Sequence, residues 1–503
     1  MSMSRRAAAK LRRGDATRWL SAAVNSRLPG AAPGNIRLSV LGPRRQARVL
    51  DAPDLHSQRE GALEEVLGAV APATVLLTPS VARHPRRLAL RAQDLPAVLE
   101  RLASLAPHWE VQQLNRHCLR VRPHFAVGDR ALGPIPDLDV MIDVLRRDGD
   151  HHVGDALAGI RRVPVAQWET LATGSLEPRA RASSAPEPEM PIDLVYTWVD
   201  GSDPLWRQRL QAALARSRGE DAAAPDSHAS ATDPSRYLNT DELRFSLRSV
   251  HRYANWVRRI HIVTDDQVPE WLDPADDRIR IVDHRELLGG SRFNSHAIES
   301  ALHRIPGLAE HYLYLNDDVF FGRMAYPGDF FAADGVARFF PSDLPIDPGP
   351  VSTEDLPIMA AAKNGRDIMA RRFGMDVRTK IRHTVHPQLR SVLAQIEREN
   401  SDAVQRTRAA HFRSPGDISL ASSLHHWYAF AQGLSVPTQP NYLYVDLGAP
   451  DAGQRLDALE SLRRFDTFCL NQEEGAASER TRRDLQSFLE RYLAAPAPWE
   501  RPT

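Results

Sequence analysis

The stretch IDLVYTWVDGSDP, Ile192 to Pro204, decides how the chain reads. From Ile192 to Val199 the residues are mostly aliphatic, β-branched or aromatic, which predicts a strand buried on both faces. Asp200-Gly201-Ser202-Asp203-Pro204 then predicts the turn that stops it.

Working downstream, residues 205–217 have helical character, and Leu243, Leu247, Val250 and Ala254 form one apolar helical stripe. Strands are predicted at 259–263 and 278–282, a helix through Ile298, Leu302 and Ile305, and a strand at 311–315. This alternation predicts an α/β fold with a doubly wound, mainly parallel sheet. Ligands of such sheets bind outside the carboxyl ends of the strands. Asp200, Asp265, Asp317 and Asp318 all fall at such ends.

Upstream the pattern is weaker. Residues 36–41, 74–77 and 118–121 read as strands, and 95–105 and 138–145 as helices, giving a smaller N-terminal α/β domain. The expected organisation is an accessory domain with a basic arm over 1–172, a Pro- and Ser-rich linker over 173–190, and a catalytic domain over 191–503. Residues 220–235, rich in Ala, Ser, Asp and Pro, read as an insertion.

Composition excludes several classes. The 64 basic and 64 acidic residues cancel, which argues against bulk nucleic-acid binding. Cys118 and Cys469 are the only cysteines, two distant residues that are not expected to make a disulfide framework or a four-ligand zinc site. No run approaches the roughly 18 apolar residues of a spanning helix, and no apolar segment follows the basic start. The expectation is a cytoplasmic protein. The basic arm suggests loose peripheral contact with the inner membrane face, although a solvated tail is the plainer reading.

Asp317-Asp318 is the first chemical candidate. Adjacent carboxylates at a strand end suit Mg²⁺ or Mn²⁺, which prefer oxygen ligands and bridge to phosphates. An acidic pair before a loop also serves as a plain turn or cap. The carboxylates of Asp200 and Asp203 suit a metal or a ribose, or merely a turn. Asn294 and Ser295 open a helix and suit a phosphate, or act as an ordinary cap. Asn239 and Glu242 have capping-box spacing. In RHTVHP, the i, i+3 spacing of His383 and His386 could bind zinc, but no third ligand is near in sequence; a general base near neutrality fits better, and hydrogen-bonding histidines with no chemistry are the plain reading. Phe468-Cys469-Leu470-Asn471 reads as a core strand.

The order of these segments resembles the Stealth family. Residues 192–204 are similar to its first signature. The second is carried by DELRFSLRSVHRYANWVRRIHIVTDDQVPEWL (241–272), FNSHAIESALHRIPGL (293–308) and YLNDDVFFG (314–322). Residues 380–399 with HTVHP resemble the third signature, and FCLNQ (468–472) the fourth. The family contains bacterial capsular and exopolysaccharide phosphotransferases and the catalytic subunit of the animal enzyme that adds GlcNAc-1-phosphate to lysosomal glycoproteins.

The resemblance implies a GT-A-like fold and transfer of hexose-1-phosphate from a nucleoside-diphosphate sugar to an acceptor hydroxyl on a polysaccharide or lipid-linked saccharide. It places the Mg²⁺ or Mn²⁺ on Asp317 and Asp318. The donor pocket would include Asp200, Gly201, Asp203, Asp265, Asn294 and Ser295, and Asn471 would close the site. His386 would be the base, with Arg382 and Arg413 as phosphate partners. Two residues depart from the family pattern: Asp266 stands where glycine is frequent, and Gln472 where Asp is usual. A GT-A glycosyltransferase and a non-catalytic polysaccharide-binding relative are the alternative readings.

Overall fold

The structure is a computed structural model describing residues 39–41, 46–50, 55–70, 75–77, 85–172, 188–220, 237, 239–352, 354–472 and 479–501. The basic arm, most of the expected linker and most of the expected insertion lie outside the described residues.

In the N-terminal part, β1 (Arg86–Arg91), β2 (Trp109–Asn115), β3 (Cys118–Pro123) and β4 (Val140–Asp148) form the centre of one sheet. Leu88, Leu90, Val111, Val121 and Ile142 pack there with Val66 of α1 (Leu55–Val70) and Val98 of α2 (Leu95–Leu102). The helix expected at 138–145 is β4 instead. Leu138, Ile142 and Leu145 have helical spacing, but Val140, Ile142 and Val144 alternate. The alternation prevails because β1 and β3 hydrogen-bond to β4 from both sides.

The second part contains β5 (Ile192–Thr197), β6 (Ile260–Thr264), β7 (Ile279–Asp283), β8 (His311–Asn316), β9 (Val319–Phe321), β10 (His386–Leu389), β11 (Tyr442–Asp446) and β12 (Thr467–Asn471). Its central sheet has the order β7-β6-β5-β8-β10; the first four strands are parallel and β10 is antiparallel. From β5 the chain steps outward to β6 and β7, then returns to place β8 on the other side of β5. The switch point therefore lies between the carboxyl ends of β5 and β8, where Thr197 pairs with Asn316.

Helices α3 (Pro204–Glu220) and α4 (Glu242–Tyr253) stand where the sequence places them. The helix expected through Ile298, Leu302 and Ile305 is shorter: α5 spans Ser295–Glu299, and a 3-10 turn follows at Leu302–Arg304. All three side chains are nevertheless buried. Helix α6 (His425–Ala431) comes later in the chain.

Segments flanking the N-terminal sheet pack into the core of the second part. Leu55, Phe125, Leu132 and Leu138 pack in the same cluster as Leu194, Leu247, Tyr253 and Phe321. Arg252 Nη2 donates to the Leu132 carbonyl at 2.6 Å, and the Asp137 carboxylate pairs with Arg323 just past β9. Among the described residues, no helix is long and apolar enough to cross a membrane.

Candidate active site

Asp317 and Asp318 form the tight turn between β8 and β9. That turn is fixed from two directions. On one side, Ser246 of α4 donates its hydroxyl to the Val319 carbonyl, and Phe321 N donates to Ser249 Oγ at 3.0 Å. On the other, Val319 pairs with Cys469 of β12, and Leu470 N donates to the Asp318 carbonyl at 3.0 Å. The first turn of α4, which carries Glu242, and the end of β12, which carries Cys469 and Asn471, are thereby drawn to the acidic pair.

Asn471 Nδ2 lies 2.9 Å from Asp318 Oδ2, and Cys469 Sγ lies 3.4 Å from the same oxygen. His383 Nε2 stands 3.4 Å from Asp318 Oδ1; both atoms are buried and neither has a hydrogen-bond partner. Above them, Tyr442 OH donates to the His383 carbonyl at 2.7 Å. Burial, then Glu242 and Asp318, push the Asp317 carboxyl well above the usual range. Burial and Asp318 likewise raise Glu242. Two carboxyls that resist ionisation, crowded by Asp318 and beside two unpartnered polar atoms, are the surroundings a divalent cation would relieve.

Three stretches of the chain match the models of Stealth protein conserved regions: region 1 at residues 190–218, region 2 at 236–339 and region 3 at 382–430. The chain belongs to the Stealth family. Relatives of this Stealth protein include the exopolysaccharide phosphotransferase SCO2594 of Streptomyces coelicolor, 42% identical over 74% of this chain and 59% of that protein. SCO6023 of the same organism is 43% identical over 64% of this chain and 54% of its own length. The exopolysaccharide phosphotransferase CpsY of Mycobacterium tuberculosis is 40% identical over 67% of this chain and 62% of its own. The match thus spans between about half and two thirds of these relatives. Among solved structures, the galactosyltransferase LgtC in complex with donor and acceptor sugar analogues aligns at 11% identity and a TM-score of 0.30, covering 61% of this chain and 99% of its own.

Region 1 of this Stealth protein supplies β5, region 2 supplies Glu242, Asp317 and Asp318, and region 3 supplies His383 and Arg413. Asn471 and Cys469 come from beyond the matched regions.

The structure brings Asp317, Asp318 and Asn471 together. It does not bring His386. That residue sits inside the β10 ladder opposite Tyr314, only 4% exposed, with Nδ1 3.1 Å from His426 Nε2. Burial, with His383 and His425 nearby, pushes its imidazole down to about 3. His383, three residues earlier and ahead of the ladder, occupies the place expected for His386.

Several donor-pocket expectations are also corrected. Asp265 is 1% exposed, and its carboxylate accepts from Ser291 Oγ at 2.7 Å and Arg209 Nε at 3.1 Å. Asn294 is fully buried and caps α5, while its Nδ2 donates to Asp417 at 2.9 Å. Asp203 accepts from Leu205 N at 2.7 Å and Gln267 Nε2 at 3.0 Å, as a helix cap does. Gly201 is needed because a Cβ there would lie 2.3 Å from the Tyr237 carbonyl. All four build the loop scaffold around the switch point. Asp200, which accepts from Ser202 N at 2.8 Å, is partly exposed. Arg413 Nη2 donates to Ser295 Oγ at 2.9 Å, at the start of α5. Arg382 turns to Asp343 Oδ2 at 3.2 Å and Gln439 Oε1 at 3.3 Å.

Asp266 adopts φ 56°, a left-handed backbone that glycine accepts most readily, which explains why glycine suits this turn. Here the Asp266 carboxylate pairs with Arg285 instead.

Glu242 and Cys469 stand beside the acidic pair although the sequence reading gave them no chemistry, and His383, offered there together with His386, was passed over for the base. Thr240 N donates to Glu242 Oε2 at 2.7 Å and Asp241 N to Asn239 Oδ1 at 3.0 Å, so the capping box suggested by the spacing of Asn239 and Glu242 does not form.

Proposed function

We propose that this Stealth protein transfers hexose-1-phosphate from a nucleoside-diphosphate sugar to a hydroxyl of a polysaccharide or lipid-linked saccharide, releasing nucleoside monophosphate. The observation that carries the reading is the placement of Glu242, Asp317 and Asp318 beside His383 at the switch point of the parallel sheet. The exopolysaccharide phosphotransferases among its relatives support it.

Asp317 and Asp318 would hold Mg²⁺ or Mn²⁺, which when bound supplies positive charge opposite the diphosphate. The protein's own contribution is positioning and proton transfer. Arg413, beside Ser295, and Arg382 are the cations available to phosphate oxygens, and Asp200 is the exposed carboxylate at the end of β5. The acceptor oxygen forms a bond to the sugar-proximal phosphorus, and the phosphoanhydride bond to the nucleotide breaks. The hydroxyl proton passes to the imidazole of His383, which stands 3.4 Å from Asp318 Oδ1. The sugar keeps its anomeric C–O bond. Lipid-linked acceptors would place the reaction on the cytoplasmic side of the inner membrane.

The test is incubation with a panel of nucleoside-diphosphate sugars and Mg²⁺ or Mn²⁺. Release of nucleoside monophosphate is expected. Release of diphosphate would make the protein a glycosyltransferase, and an absence of turnover across the panel would favour a binding protein on this scaffold.

A further inference from the structure

The donor atoms around Asp318 are of three chemical kinds. The Asp318 carboxylate, the His383 imidazole and the Cys469 thiol each offer one ligand atom, all within 4.8 Å of one another. Mg²⁺ and Mn²⁺ favour oxygen, whereas a sulfur, nitrogen and oxygen set favours Zn²⁺. The approaches are close: His383 Nε2 lies 3.4 Å from Asp318 Oδ1, and Cys469 Sγ lies 3.4 Å from the other carboxylate oxygen, Oδ2.

Two further observations point to a ligand here. Asp318 Oδ1 and His383 Nε2 are buried and face each other without forming a hydrogen bond. Asn471 Nδ2 donates to Asp318 Oδ2 at 2.9 Å, as the supporting residue of a metal-ligating carboxylate does. Cys469 is fully buried, while Asp318 and His383 keep some exposure, so an ion would enter past the carboxylate and imidazole.

We propose that Asp318, His383 and Cys469 form a Zn²⁺ site that overlaps the hard-ion site through Asp318. Three protein ligands leave the fourth position for water. On binding, the Cys469 thiol proton goes to solvent, bonds to sulfur, nitrogen and oxygen form, and Zn²⁺ gives up all but one of its waters. Occupancy takes Asp318 and His383 out of the transfer reaction, so Zn²⁺ acts as an inhibitor. The inhibitory role rests on the proposed function; the binding site does not.

The test uses the full chain, stripped of metal and loaded with Co²⁺ and, separately, with Zn²⁺. Co²⁺ should produce a thiolate-to-cobalt charge-transfer band that Zn²⁺ abolishes on titration. X-ray absorption of the Zn²⁺ form should show one sulfur at about 2.3 Å beside nitrogen and oxygen at about 2.0 Å. Cys469→Ser should lose the band and at least about tenfold in Zn²⁺ affinity. Because Cys469 is buried, the absorption spectrum of the unaltered protein decides the matter should that variant misfold. A spectrum without sulfur, or failure to bind either ion, overturns the site. Sulfur-bound Zn²⁺ with undiminished turnover overturns the inhibitory role. Failure of every donor to turn over, with the sulfur signal present, defeats the proposed function and leaves the site standing.

Discussion

Asn471 donates its side-chain amide to Asp318 Oδ2 at 2.9 Å, joining the last residue of β12 to the turn that ends β8. The same Nδ2 lies 3.3 Å from His383 Nδ1, so one amide orients both a carboxylate and an imidazole. Asn471→Ala should lower kcat about 10- to 100-fold, the usual effect of losing such a supporting residue, with KM nearly unchanged. Steady-state kinetics with a fixed donor checks the split; a rise in KM alone would mean that Asn471 binds substrate.

The two histidines of HTVHP should separate cleanly. His383→Asn is expected to reduce kcat by about 10² to 10⁴ while the melting temperature stays near that of the parent. His386→Ala should instead cost about 1–3 kcal/mol of stability, because His426 loses its buried hydrogen-bond partner. Activity per folded molecule should survive. Paired denaturation and kinetic measurements decide it, and the reverse pattern would restore His386 to the chemistry.

The difference between these histidines shows where the sequence stops being informative. Two imidazoles three residues apart look equivalent until the start of β10 is known, and His386 lies within the ladder while His383 precedes it. Strand-end position brought out Asp317 and Asp318, whereas Asn471 entered only through the family resemblance. Asp265 and Asn294 were misjudged because their partners, Arg209 and Asp417, are distant in the chain. Cys469 reads as a core residue and is one. Only the alternation of β12, with Cys469 and Asn471 on one face, turns its sulfur to Asp318. The parallel sheet was legible from the switching of apolar periods. The strand β4 was not, because its apolar residues satisfied both periods.

Stability should fall as the solution is acidified from neutrality. Burial pushes His386 and His425 down to about 3, His284 down to about 4, and His426 well below the usual value. Unfolded histidine titrates near 6.5, so above that pH both states are neutral and these groups add no slope. As pH falls from about 6.5 toward about 3, the unfolded chain takes up protons that the fold refuses. Each such proton contributes about 1.4 kcal/mol per pH unit, so the three around His386 alone approach about 4 kcal/mol per unit. Urea denaturation at pH 7, 6 and 5 should show a falling midpoint, with net proton uptake on unfolding. A midpoint flat over that range would contradict the buried neutral cluster.

The N-terminal part should matter to the site through Asp137. Its carboxylate pairs with the largely buried Arg323 and accepts from Met324 N at 3.4 Å, two positions just past β9 and hence near the Asp317–Asp318 turn. Asp137→Ala should cost about 3 kcal/mol by leaving a buried guanidinium without its carboxylate. Chemical denaturation checks the magnitude; a change within about 0.5 kcal/mol would mean that this ion pair adds little to the apolar packing and the Arg252–Leu132 hydrogen bond that also join the two parts.

The most direct test of the account follows phosphorus. With an active donor and a saccharide acceptor, ³¹P NMR of the products should show a new phosphodiester resonance rising in step with nucleoside monophosphate, both abolished by Asp318→Asn. Nucleoside diphosphate accumulating with no phosphodiester signal would contradict it.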